Sequence, residues 1–252
     1  MSEQHQRLAE ALADSDFVIF DNDGVIYPYT PEIIDNLFNA MIKTLRKFLP
    51  DLPVPDILRV ARESQAVHGH HYEIFVERHG LSRQAVHELH HIHCDEKFIV
   101  PDERVTEGFS HFHMPRAILS HGDRGWIYRT LDRGTIRRHF RDESIYAWED
   151  VNFLSKARFA EPYIHVLDRE GYVAERTWMI EDSVANLVPA KKLGMKTVLV
   201  ADGQNILPDE YPHVDFIVSD LTQFLFAAKD LKPQRCCPAV VKSQLMKPVT
   251  SA

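Results

Sequence analysis

Cysteine is scarce in this chain, with three among 252 residues. Cys94 stands alone, and the adjacent Cys236 and Cys237 are poorly placed to bridge each other. No disulfide framework of the secreted kind is present, so an intracellular, reduced chain is expected. Long apolar runs are missing too. No stretch approaches the ~18 residues of a membrane span, and residues 1–16 are polar and charged, without the apolar core of a signal peptide. There is no basic excess: 29 Lys and Arg against 37 Asp and Glu give a net charge of -8. That balance argues against a nucleic-acid polymer as partner. The expectation is a soluble, cytoplasmic protein with no membrane partner. Internal repeats and low-complexity tracts are also lacking.

What is present suffices for a real core. The apolar share is 44% and the charged share 26%, and the length accommodates one large domain or two smaller ones. Fifteen histidines make the charge pH-sensitive near neutrality.

Phe17-Val18-Ile19-Phe20 reads as a strand buried on both faces. After the loop Tyr27-Pro28-Tyr29-Thr30-Pro31, the text turns helical. Ile33, Ile34, Leu37, Phe38, Met41, Ile42 and Leu45 recur at spacings of three and four. Pro53 and Pro55 interrupt that pattern, and further helices are predicted over 56–67, 72–79 and 82–93, with Gly80 as a stop and Ser82 as an N-cap. From about Arg116, strands at 116–120, 145–148, 177–181, 197–200 and 216–218 alternate with helices at 124–132, 157–170, 185–193 and 221–229. Alternating βα units imply α/β architecture with a doubly wound parallel sheet. A helical insert of roughly 80 residues then separates the first two strands. The implied division is a core of 1–28 and 109–230, a helical cap of 29–108 and a flexible tail of 231–252.

Polar residues gather at the ends of these strands, the ligand edge of an open parallel sheet. The first strand runs into Asp21-Asn22-Asp23-Gly24, the second into Ser120-His121-Gly122, and the fourth into Glu181-Asp182. Lys156 opens the predicted helix between the third and fourth strands. Singly, each has an ordinary reading as a turn, a helix cap or a surface charge. Together they are several carboxylates that would repel one another and raise one another's pKa. A hard cation resolves that repulsion, and an all-oxygen set suits Mg²⁺. A carboxylate beside such a cation can attack a phosphoryl group, a second acid can protonate the departing alcohol, and a lysine and a hydroxyl can steady the transferring charge.

In order and spacing these residues resemble the haloacid dehalogenase (HAD) superfamily in its phosphatase branch, over about residues 16–229. Asp21-Asn22-Asp23-Gly24-Val25 is similar to its first motif, Ser120 to the second, Lys156 to the third and Glu181-Asp182 to the fourth. The resemblance implies that Asp21 is nucleophile and metal ligand, and that Asp23 is general acid and base with its backbone carbonyl on Mg²⁺. It further implies that Ser120 and Lys156 hold the phosphoryl group, that Asp182 ligates the metal directly and that Glu181 ligates it directly or through water. Asp23 speaks against dehalogenation, since the dehalogenases of the superfamily lack the second aspartate. The chain departs from the pattern at Ala157, where proline is usual, at Tyr163, seven residues past the lysine rather than six, and at His121-Gly122, where Asn-Gly or Asn-Ala is common. Arg158 is a rival for the third-motif cation.

Within the superfamily, Asp23-Gly24-Val25-Ile26-Tyr27-Pro28 is similar to the start of the pyrimidine 5′-nucleotidases, as are His79-Gly80-Leu81 and the run 95–101 to their cap. The implied activity is Mg²⁺-dependent hydrolysis of a small phosphate monoester through a phospho-aspartate, with a nucleoside 5′-monophosphate favoured. The alternatives are another small phosphate such as phosphoglycolate or a sugar phosphate, sugar-phosphate mutase chemistry, and a catalytically idle HAD binding protein. Eight histidines crowd residues 68–93. The expectation is a solvated surface, with His70 and His71 the candidates for substrate contact beside His121, Gly122, Ser120 and Lys156. Tyr72 and Phe75 are expected to be core positions of the cap.

Overall fold

The computed structural model describes residues 3–68, 70–201, 210–229 and Leu231. Six parallel strands form one sheet in the order β3-β2-β1-β4-β5-β6. They are β1 (Phe17–Phe20), β2 (Arg116–Leu119), β3 (Ile145–Tyr146), β4 (Thr177–Glu181), β5 (Lys196–Val200) and β6 (Phe216–Val218). The order reverses between β1 and β4, and such a reversal opens a crevice beyond the carboxyl ends of the two strands. In register, Phe17 faces Thr177 and Phe20 faces Ile180, so β1 and β4 end side by side.

The central strands are apolar because both faces are covered. Alternation sends Val18, Phe20, Trp178 and Ile180 to one face and Phe17, Ile19 and Met179 to the other. The first face packs against α1 (Glu3–Leu12), α6 (Glu103–Ser110), α7 (Arg124–Arg133) and α10 (Leu221–Ala227). The second packs against α8 (Glu161–Glu170) and α9 (Val184–Lys192).

Between β1 and β2 every regular element is helical: α2 (Pro31–Phe48), α3 (Val54–His68), α4 (Glu73–His79) and α5 (Arg83–His93), followed by α6. Local chemistry sets their ends. Thr30 accepts from the Ile33 N–H at 3.4 Å with Pro31 at the first position, Gly80 ends α4 at φ 62°, and Ser82 accepts from the Ala85 N–H at 3.3 Å.

Three expectations shift. α1 was not foreseen; its signal is Leu8 and Leu12, four residues apart and both buried against the core. α6 was not foreseen either, and it packs on α10 through Gly108 and Leu225. α8 starts at Glu161 with Pro162 near its first turn, not at Ala157, so Lys156 sits in a turn ahead of the helix. The tail from residue 232 and the Cys236–Cys237 pair lie outside the described residues, whereas Cys94 is buried as a free thiol. No helix among the described residues is long and apolar enough to cross a membrane.

Candidate active site

Parallel pairing runs one residue past β1. The Asp21 N–H donates to the Ile180 carbonyl at 2.9 Å, which sets Asp21 beside Glu181. The chain then turns at Gly24, whose φ of 77° disfavours any side chain. Space forbids one too, since a Cβ there would stand 2.3 Å from Asp182 Oδ2. The turn of the first motif and the carboxylate of the fourth are therefore in contact. Buried Asn22 braces the turn by accepting from Thr130 Oγ1 at 3.0 Å.

Asp23 is gripped from several sides. The Trp126 indole N–H donates to it at 2.8 Å, the Ser120 hydroxyl at 3.1 Å and the Asn22 amide at 3.3 Å, and the Tyr27 hydroxyl donates as well. Ser120 reaches it from the end of β2 while accepting the Gly122 N–H at 2.9 Å.

Lys156 is wholly buried. Its Nζ lies 2.8 Å from Asp21 Oδ2, 2.8 Å from Glu181 Oε1 and 3.2 Å from the Leu119 carbonyl. Three acceptors match three ammonium hydrogens, so the lysine acts on the site through Asp21 and Glu181. Burial alone would depress its pKa, and the two carboxylates raise it instead. The rival cation Arg158 is exposed. Glu181 is fully engaged: its other oxygen accepts the backbone N–H groups of Asp182 and Ser183 at 2.8 and 3.1 Å, and Asn186 donates to the oxygen shared with Lys156. Burial opposes its ionisation, but Lys156 and these donors draw its pKa down to about 2.

Asp21 and Asp182 feel the opposite balance. Burial and the Glu181 charge raise both well above the usual carboxylate range. Ligand oxygens of Asp21, Glu181 and Asp182 lie within 4.8 Å of one another, and Lys156 pairs with only the first two. The donor set is thus short of positive charge, the deficit that a hard divalent cation would fill.

A cavity of about 290 Å³ opens above this cluster. Asp21, Asp23, Asp182, Ser120, His121 and Gly122 line it from the core. His70, His71, Tyr72, His90 and His91 line it from the insert. The expected solvated histidine surface is therefore incorrect. His70, His87, His90 and His91 are buried, and of the eight only His79 is exposed. The reason is helical spacing: His87, His90 and His91 fall on the inner face of α5 with Val86. His87 sits behind the lining, paired with the Tyr72 hydroxyl at 2.5 Å, and His93 turns away to Thr44. Tyr72 and Phe75 are buried as expected, but Tyr72 also faces the cavity. Tyr29, Trp126 and Asn186 line it without having been singled out. Asn186 lies five residues past Glu181, Tyr29 six past Asp23 and Trp126 six past Ser120, so nearness to a motif is the signal that could have found them.

No curated protein matches the chain by sequence. Among solved structures, L-2-haloacid dehalogenase from Xanthobacter autotrophicus is similar at TM-score 0.56 and 14% identity, over 86% of this chain and 99% of that one. A putative β-phosphoglucomutase from Thermotoga maritima gives 0.55 and 18%, over 85% and 99%. The putative HAD-hydrolase YfnB from Bacillus subtilis, bound to magnesium, gives 0.52 and 14%, over 85% and 98%. At these identities the likeness is one of fold. The family model for haloacid dehalogenase-like hydrolases matches residues 16–194, the stretch that carries the three strand-end clusters and Lys156, and the chain belongs to that family.

Proposed function

We propose that the protein is a Mg²⁺-dependent phosphatase that hydrolyses a small phosphate monoester through a phospho-aspartate on Asp21. The observation that carries this reading is Asp23, a second carboxylate two residues from Asp21, held in the cavity by Ser120 and Trp126. A dehalogenase has no need of a proton donor there, whereas a phosphate ester releases an alkoxide that must be protonated.

Asp21, Asp182 and the Asp23 carbonyl would hold the Mg²⁺, with Glu181, whose oxygens are already engaged, one water away. When bound, the metal offsets the carboxylate charge and that of the phosphoryl oxygens. The magnesium carried by YfnB supports this choice. Asp21 attacks phosphorus with the oxygen not needed for the metal, Lys156 fixing its carboxylate and opposing its protonation. The ester P–O bond breaks as Asp23 gives its proton to the departing alcohol. Asp23 then takes a proton from water, which attacks the phospho-aspartate and releases phosphate and free Asp21. Ser120 and the Gly122 turn line the phosphoryl position. Residues 29–108 serve as the cap, which excludes water during the covalent step.

The favoured substrate class is a nucleoside 5′-monophosphate, on the similarity of the 23–28 stretch to pyrimidine 5′-nucleotidases. The test is phosphate release from a panel of monoesters with and without Mg²⁺, beside Asp21→Asn. The wild type releases phosphate only with the metal, and the variant folds but releases none. Near wild-type release by Asp21→Asn overturns the mechanism.

A further inference from the structure

Resting on the phosphatase reading above, we propose that the insert-side wall of the cavity recognises an uncharged, hydrogen-bonding leaving group and excludes monoesters that carry a second anionic group.

The lining contains Asp21, Asp23 and Asp182 but no lysine or arginine. Lys156 lies beneath, fully buried with its hydrogens committed. The cations that would greet a second phosphate or a carboxylate are therefore missing from the wall. In their place stand five imidazoles, His70, His71, His90 and His91 on the insert side and His121 on the core side. Burial pushes all five below their ordinary value, and neighbouring imidazoles add to this for His70, His90, His91 and His121. They are neutral at pH 7.

A neutral imidazole offers one N–H and one bare nitrogen. His121 Nε2 accepts the Lys156 backbone N–H at 3.0 Å, so its hydrogen is on Nδ1. His91 Nδ1 donates to the His87 carbonyl at 2.9 Å, which leaves Nε2 bare. His70 Nε2 and His90 Nδ1 have no hydrogen-bond partner, although His70 is only 8% exposed and His90 only 3%. Unpartnered buried polar atoms are costly, and a ligand with hydroxyl, amide or ring-nitrogen groups satisfies them. These imidazoles are not a second metal site, because the only such group among the described residues with donors close enough to share an ion is Asp21, Glu181 and Asp182. Tyr72 and Trp126 add flat faces. The volume of about 290 Å³ is at the small end for ligand pockets, which suits a small monoester rather than a large one.

Two matched pairs of esters test this on the intact enzyme with Mg²⁺: hydroxyethyl phosphate against phosphoglycolate, and a nucleoside 5′-monophosphate against its 3′,5′-bisphosphate. The member of each pair without a second anionic group should lead in kcat/KM by roughly a hundredfold or more, because an anion left unpaired in a closed site is strongly rejected. Equal turnover within a pair overturns this inference and leaves the phosphatase reading standing, whereas no phosphate release from any ester overturns both. His90→Leu should raise KM for the nucleoside monophosphate about tenfold with a smaller change in kcat, and an unchanged KM counts against the wall. His71→Arg, at the less buried edge, should narrow the gap within each pair. The wild-type ratios decide the matter even where a variant fails to fold.

Discussion

Lys156 Nζ lies 2.8 Å from Asp21 Oδ2, although the two residues come from different strand connections and the lysine is sealed from solvent. Breaking a buried pair by removing one partner typically costs about 3–5 kcal/mol. Lys156→Met should therefore destabilise the fold on that scale in denaturant titrations. Pairing it with Glu181→Gln should recover part of the loss. Lys156 also opposes the burial that raises the Asp21 pKa. Without it Asp21 holds its proton to higher pH, so the acid limb of the pH–rate profile should move upward. A stable Lys156→Met with an unmoved acid limb contradicts the assignment.

Asp23 should matter for chemistry rather than for metal binding. Asp23→Asn is expected to lose roughly 10²- to 10⁴-fold in kcat while keeping the rise in melting temperature that Mg²⁺ produces. Trp126→Phe removes one of its donors and should cost roughly 10- to 100-fold, the scale of one hydrogen bond to a charged group. Loss of the Mg²⁺-dependent rise in Asp23→Asn would count against a purely backbone contact to the metal.

The cation deficit predicts a crossing of stabilities. EDTA should abolish activity and Mg²⁺ restore it, while Ca²⁺, which prefers more ligands, should inhibit. Metal at a hundred times its Kd stabilises by about 2.7 kcal/mol. Asp182→Asn removes one of the repelling carboxylates, so it should melt above the wild type in EDTA and below it in saturating Mg²⁺. Differential scanning calorimetry in the two buffers reads this without any substrate.

Acid should loosen the molecule through its histidines. His70, His90, His91 and His121 are held well below 6.5, and His71 is lowered from 6.5 to about 4. Between the folded and unfolded values the unfolded chain binds more protons, so stability rises with pH. It is complete above about 6.5 and falls as pH drops towards 4. Asp21 and Asp182 have raised values and act with the opposite sign, so the test is a difference. His90→Gln should flatten the slope of unfolding midpoint against pH over this window, and an unaltered slope refutes the account.

The sheet was legible because its strands are short apolar runs that stop at polar residues. Phe17–Phe20 and the run into Glu181 reveal both the strands and the site at their ends. α1 was hidden because two leucines in a polar segment are a faint stripe. α6 was hidden inside text that reads as one continuous insert, while its partner Leu225 lies more than a hundred residues away. Lys156 was found by its place in the motif order, but its role was not. Whether a lysine faces a ligand or two carboxylates depends on the tertiary setting of Glu181. The histidines misled for a related reason. Their residue type suggests solvent, and the i, i+3, i+4 spacing of His87, His90 and His91 suggests a buried face. The spacing prevailed.

The strand order also sets a timetable for synthesis. Asp16 and Arg176, 160 residues apart, are bonded at the start of β1 and β4. At about 5–20 residues per second, β4 leaves the ribosome roughly ten to thirty seconds after β1. For that interval β1 has no neighbour on one edge, and Trp178 and Met179 are not there to flank it. The strand that leads into Asp21 is thus among the first made and among the last enclosed. A nascent chain stalled between β2 and β4 should display Phe17–Phe20 to any apolar-binding chaperone.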